Sequence, residues 1–272
     1  PIKRSQLFQL LETINSLTSL KSLMFYLDDY LDYLEDNEAP SIKLPILAQL
    51  ERFDFYAINA ITPLYQSVAN YAASNANLRQ IAIGLAIDFQ HVQKFLDLDP
   101  VLLAKFTNIC MAFGPEFGID YDELHSVCTR FTGLKQITII AKRLDILQVD
   151  QCLWHLKHLT SVRFDARGCF LFPENGHRNQ VLLPLTGVTR LELYLPYMPH
   201  CGILNSSIWS ALFPNIDQLS IRYNDSCSAC KLWPLLPLAR RVARCDRTFL
   251  QPFKGCTKLK QLVVMQWNVW HR

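Results

Sequence analysis

Nowhere in the chain do about 18 apolar residues run together, which excludes a membrane-crossing helix of ordinary length. No basic-then-apolar segment opens it either, so no secretory leader is expected. The nine glycines among 272 residues form no G-x-G-x-x-G or Walker-type loop, and H-E-x-x-H and G-x-S-x-G are absent. Those absences remove the usual nucleotide-binding, metalloprotease and serine-hydrolase readings, and no catalytic residue and no cofactor is expected. Cysteine is missing before Cys110, and all nine lie from there on. An odd number in so long a chain does not make a disulfide framework, so reduced thiols in an intracellular protein, cytoplasmic or nuclear, are expected. The sequons at Asn205 and Asn224 do not change that without a sign of secretion.

What the chain does have is repetition. The pattern apolar-x-x-apolar-x-apolar occurs as Leu20-Leu23-Phe25, Leu50-Phe53-Phe55, Leu78-Ile81-Ile83, Phe106-Ile109-Met111, Leu134-Ile137-Ile139, Leu159-Val162-Phe164, Val188-Leu191-Leu193, Ile216-Leu219-Ile221 and Leu259-Leu262-Val264. Successive starts differ by 30, 28, 28, 28, 25, 29, 28 and 43 residues. The last two apolar residues of each copy share one face of a short strand. The intervals between copies suffice for a helix and two turns before the next parallel strand. Helices are expected over 63–76, 120–131, 144–156 and 205–213 from Pro63, an acidic first turn at Asp120, and apolar residues at helical spacing. One such unit cannot bury both its strand and its helix, so neighbours must stack.

In these copies the chain resembles the leucine-rich repeat superfamily, and its period and helical intervals look most like the ribonuclease-inhibitor-type and F-box-associated branches. The resemblance runs from about residue 5 to 272. It implies an α/β right-handed solenoid, a horseshoe of about nine repeats of ~28 residues, with parallel strands concave and helices convex. The family pattern continues to an Asn whose side chain bridges adjacent turns; here only Asn224 fills that position, against Asp28, Ile58, Ala86, Gly114, Lys142, Arg167, Pro196 and Trp267. One domain over 1–272 is expected, with 1–16 as an N-terminal helix or partial repeat and 224–257 as an expanded interval. Pro1 in place of Met suggests a fragment of a longer protein or a helical cap.

Residues alternating with the buried ones should face the open concave side. One column reads Met24, Asp54, Ala82, Cys110, Thr138, Arg163, Glu192, Ser220 and Val263; the next includes Tyr26, Tyr56, Ile140, Asp165, Tyr194 and Arg222. Candidate partner-binding residues are Arg163, Asp165, Arg190, Glu192, Tyr194, Arg222 and Tyr223, with Tyr26 and Tyr56 at the other end, because aromatic and Arg side chains dominate binding hot spots. The plainer alternative is that Arg163 and Glu192, in one column, neutralise each other. Net charge is only +3, but residues 1–130 carry −7 and 131–272 carry +10. Arg240, Arg244 and Arg247 follow i, i+4, i+7 spacing in an expected helix over 238–250, suited either to an acidic or phosphorylated partner segment or to plain solvation. Two spacings resemble metal sites. Cys152-x-x-His155-x-x-His158 fans around a helix, and Cys227-x-x-Cys230 with Cys245 and Cys256 lacks the usual second close pair. No bound metal is expected.

The repeats therefore predict a protein-recognition module binding a partner on its concave face, neither an enzyme nor a membrane protein. Nucleic acid is disfavoured because few aromatics interleave with the basic half. The resemblance implies a substrate-binding domain of an F-box-type ubiquitin-ligase receptor, whose ligase adaptor would dock only if an F-box lay upstream of Pro1; no F-box is expected within the chain. The alternative is an inhibitor or scaffold without a ligase role.

Overall fold

In the computed structural model the described residues are 13–14, 17, 19–27, 47, 49–57, 62–75, 77–86, 95–113, 119–171, 182–195, 208–224 and 256–267. Most of the expected N-terminal element over 1–16, and the 224–257 interval apart from Asn224, Cys256 and Thr257, lie outside them. Every copy of the pattern forms a strand: β1 Ser22–Leu27, β2 Arg52–Ala57, β3 Gln80–Ala86, β4 Phe106–Ala112, β5 Gln136–Asp145, β6 Ser161–Leu171, β7 Arg190–Leu195, β8 Gln218–Asn224 and β9 Gln261–Trp267. They make one parallel nine-stranded sheet in chain order. Between them lie α1 Thr62–Ser74, α2 Pro100–Leu103, α3 Tyr121–Arg130, α4 Ile146–Leu153 and α5 Ile208–Leu212. The fold is thus α/β, as the alternation of short apolar strands with helical intervals dictates.

The chain divides into two compact units, Pro1–Ala112 with Ser126–Ile137, and Phe113–His125 with Thr138–Arg272. In the first, register sets Leu23 against Phe53 and Phe53 against Ile81, so the apolar doublets stack strand upon strand. Phe53 and Phe106 are fully buried. Phe53 meets the Tyr71 ring of α1 at 5.0 Å, and Phe106 meets Phe131 edge-on at 5.1 Å. In the second unit Val162, Leu191, Leu219 and Leu262 form one row and Phe164, Leu193, Ile221 and Val264 the next. Phe164 packs on Trp209 of α5, with centroids 6.3 Å apart. β5 runs straight into α4 because Asp145 both ends the strand and caps the helix, accepting from the Leu147 N–H at 3.0 Å.

A turn recurs ahead of the strands. The first apolar residue donates its N–H to the carbonyl three residues back in Leu20→Leu17, Leu50→Leu47, Leu78→Asn75, Leu134→Phe131, Leu159→Leu156, Val188→Leu185 and Leu259→Cys256. The residue after it then offers one carbonyl to two N–H groups of the next repeat. Lys21 takes Glu51 and Arg52, Glu51 takes Arg79 and Gln80, Thr160 takes Thr189 and Arg190, Thr189 takes Asp217 and Gln218, and Asp217 takes Lys260 and Gln261. The position three residues before the pattern is itself core in most copies: Leu47, Phe131, Leu156, Leu185, Phe213 and Cys256 are buried there, whereas Leu17 ahead of β1 is 46% exposed. Where it is polar, the side chain ties neighbouring turns together. Asn75 donates its Nδ2–H to the Leu47 carbonyl at 3.3 Å, and the Cys256 thiol lies 3.7 Å from the Phe213 carbonyl. The turn-bridging expected of an Asn after the strand is made here by residues before it.

Several expectations need correction. Aligning the copies puts Ile81 opposite Ile109, but the sheet pairs Ile83 with Ile109, an offset of two residues held from Ala82 to Ala86, with a further one-residue irregularity between Ile81 and Ala82. A two-residue slip keeps every side chain on its face, so burial survives it. The alternating column is not uniformly open: Asp54, Ala82, Thr138 and Glu192 are buried, as is Ile140 in the next column, while Met24 is 62% exposed. Short side chains between strands about 4.8 Å apart are covered by longer neighbours. β5 is buried on both faces from Ile137 to Ala141. Leu262, expected in the core, is 39% exposed.

Candidate recognition face on strands β6 to β9

Arginine and an acid two residues apart on one strand share a face, and the chain uses this twice. In β2, Arg52 donates from Nη2 to the Asp54 carboxylate at 2.7 Å. In β7, Arg190 donates from Nη2 to Glu192 Oε1 at 2.5 Å. Both acids are buried and both arginines lie mostly in solvent, so each pair anchors a charge more than it stabilises the fold. The plainer alternative, Arg163 neutralising Glu192, is not what the side chains do. Those two residues do face each other in register, but Glu192 takes its own strand's arginine.

Arg163 goes elsewhere. Its guanidinium lies over the Tyr194 ring at 3.9 Å from the centroid, and Arg222 lies over the same ring at 4.9 Å. The ring's face attracts cations, by about 1 kcal/mol per contact. The two cations come from β6 and β8, on either side of the strand that carries Tyr194. They are at most about 9 Å apart, which costs on the order of 2 kcal/mol in mutual repulsion at an effective dielectric near 20. Neither has a carboxylate partner among the described residues, and the Nε–H of each is buried without an acceptor. Stacking thus holds two positive charges that form no ion pair among the described residues.

Beside the stack is a hollow of about 140 Å³ lined by Arg190, Glu192, Gln218, Ser220, Arg222, Gln261 and Val263, with the chain at Leu219. Its origin is plain from register. Arg190, Gln218 and Gln261 form one row across β7, β8 and β9; Glu192, Ser220 and Val263 form the next; Tyr194, Arg222 and Met265 form the third. Ser220, the shortest side chain, sits at the centre. Gln218 and Gln261 were absent from the sequence reading; the signal was there, since they stand two residues before Ser220 and Val263 on the same faces.

Of the expected binding residues, the structure brings together Arg163, Arg190, Glu192, Tyr194 and Arg222, with half-buried Asp165 opposite Tyr194. Tyr223 pairs with Leu195 and Gln266, alternating with Arg222 along β8. Tyr26 and Tyr56 are register partners on β1 and β2, in the other unit. The side chains of these three tyrosines, and all of Arg240, Arg244 and Arg247, lie outside the described residues.

The metal patterns separate too. Cys152 is buried in α4, its thiol 3.6 Å from the Tyr121 carbonyl, and burial pushes it up to about 11, away from the thiolate a metal needs. His155 is exposed and meets the His125 ring edge-on at 4.7 Å. Burial likewise raises the Cys256 thiol, while Cys227, Cys230 and Cys245 lie outside the described residues. Among the described residues no three His, Cys, Asp or Glu side chains converge as a metal site would require, and no helix is long and apolar enough to cross a membrane. Compared with protein-family models and with curated protein sequences, the chain matches none.

Proposed function

We propose that the chain is a protein-recognition module, a right-handed leucine-rich-repeat-like solenoid of nine units of about 28 residues, whose outward strand face binds a partner protein inside the cell. The observation that carries this reading is the Arg163–Tyr194–Arg222 stack. Its aromatic ring and cations are already ordered, so binding would cost little side-chain entropy. Tyr and Arg in such clusters are the side chains that most often dominate interfaces. The recurring turn and the doubly accepting carbonyl support the solenoid reading, because they repeat the same junction between successive units.

The more specific version is a substrate-binding domain of an F-box-type ubiquitin-ligase receptor. Its support is the resemblance of the pattern to F-box-associated repeat proteins. The decisive experiment compares proteins co-purifying with the wild-type chain and with Tyr194→Ala, using Lys157→Ala as a control elsewhere on the surface. The reading expects partners lost only in Tyr194→Ala; identical partner sets would overturn it. The ligase version further expects the captured proteins to become ubiquitinated and to accumulate when the gene is removed. Capture with unchanged abundance would favour an inhibitor or scaffold.

A further inference from the structure

The hollow on β7, β8 and β9 is more specific than a general binding face. Its walls carry two arginines and one glutamate, leaving one surplus positive charge. Arg190 gives one N–H to Glu192, and no other acceptor is described for the rest of its fork. Arg222 is held by the Tyr194 ring and has no carboxylate of its own among the described residues. Gln218 and Gln261, side by side in register, add neutral N–H donors, and Ser220 adds a hydroxyl at the floor. Val263 supplies an apolar wall against which methylene groups can lie.

We propose that this hollow receives one carboxylate side chain, an aspartate or glutamate, from an extended segment of the partner protein. The inference rests on the recognition reading of the same face and adds the chemistry of what enters it. A carboxylate matches the single surplus charge and suits the planar geometry of a guanidinium fork. A phosphoryl group carries nearly two charges and three oxygens, and Glu192 in the wall would repel it. An aromatic side chain would leave the ring of donors without acceptors.

The test uses the whole purified chain and three peptides: acetyl-Gly-Gly-Glu-Gly-Gly-amide and its Gln and phosphoserine counterparts. Binding is followed by NMR at the Ser220 amide and the Arg222 Nε–H. The Glu peptide should shift both signals and bind at least tenfold more tightly than the Gln peptide. Ser220→Leu, which fills the hollow, and Arg222→Gln should each abolish that preference without changing the melting temperature. Should Ser220→Leu fold poorly, Arg222→Lys serves instead: it keeps the charge, loses the planar fork, and should weaken the Glu peptide severalfold. Equal binding of the Glu and Gln peptides overturns the proposal, and so does tighter binding of the phosphoserine peptide. Partner capture that depends on Tyr194 but is indifferent to Ser220→Leu also overturns it while sparing the recognition reading. An acidic peptide that binds as described, with capture unaffected by Tyr194→Ala, would sink the recognition reading and leave the hollow standing.

Discussion

Asp150 offers a sharp test of the packing of the second unit. It lies in α4 with only 1% of its surface exposed. One carboxyl oxygen accepts the Leu183 N–H at 2.9 Å, and the other has no partner. Burial raises its pKa from 3.8 to about 6, with the Leu183 bond working weakly against the shift. A carboxyl raised by folding holds its proton more tightly in the native state. Its contribution to stability is therefore fully present below about pH 4 and is lost as pH rises through about 6. A shift of about two units corresponds to about 3 kcal/mol. Asp150→Asn keeps an acceptor for Leu183 and removes the titration. Its amide places an N–H₂ where the unpartnered oxygen lay, a pH-independent cost of about 1–3 kcal/mol. The two effects separate because one is an offset and the other a slope. Urea unfolding of wild type and variant, followed by circular dichroism from pH 4 to 8, gives the stability difference at each pH. Relative to Asp150→Asn, wild type should lose about 3 kcal/mol between pH 4 and 7 and change little above that. A difference flat to within about 0.5 kcal/mol, or one of opposite sign, would show that Asp150 is not buried as described.

Leu191→Ala should cost about 2–5 kcal/mol in the same unfolding assay, since Leu191 is wholly buried, in register between Val162 and Leu219. Thr138→Asp should also lower the melting temperature clearly, because Thr138 lies in the twice-buried β5. Gly133→Ala should destabilise by about 3 kcal/mol, because a Cβ there would come within 1.9 Å of the Ala104 carbonyl oxygen, which is backbone and cannot step aside. Tyr194→Ala should cost only about 1–2 kcal/mol of stability while removing partner capture, so a global collapse of the variant would refute its placement on an exposed face.

Strand positions were legible because each depends on two apolar residues two apart, and Leu191 with Leu193 or Leu219 with Ile221 needs no tertiary knowledge to read. Four helices were legible for the same reason, and their ends moved by only a few residues; the expected 144–156 helix starts later because Asp145 caps it. Exposure was harder. Whether Asp54 or Thr138 sees solvent depends on the length of side chains one strand away, which periodicity within a strand does not encode. The arginines and Tyr194 of the candidate site were recognised by type and face. Their pairing was not, because Arg163 chooses between a carboxylate directly opposite and an aromatic ring on the diagonal, and Arg190 had already claimed the carboxylate. The buried position before each strand was visible at fixed spacing as Leu47, Leu156, Leu185 and Phe213, but it falls outside the six-residue pattern that organised the reading.

The slip between β3 and β4 changes how the first unit can be read by anything lying across it. Ala82 stands beside Asn108, and Gly84 beside Cys110, so a line drawn straight across the outward rows from β1 runs on unbroken but meets in β4 the residue two places earlier in its copy of the pattern. A straight crossing therefore meets Met24, Asp54 and Ala82 and then Asn108, where the pattern alone would place Cys110. Like a misprinted line of type, the offset leaves every letter upright and breaks the word. Equivalent positions of successive copies stop sharing a row at β4, so the outward rows of the first unit mix two positions of the pattern.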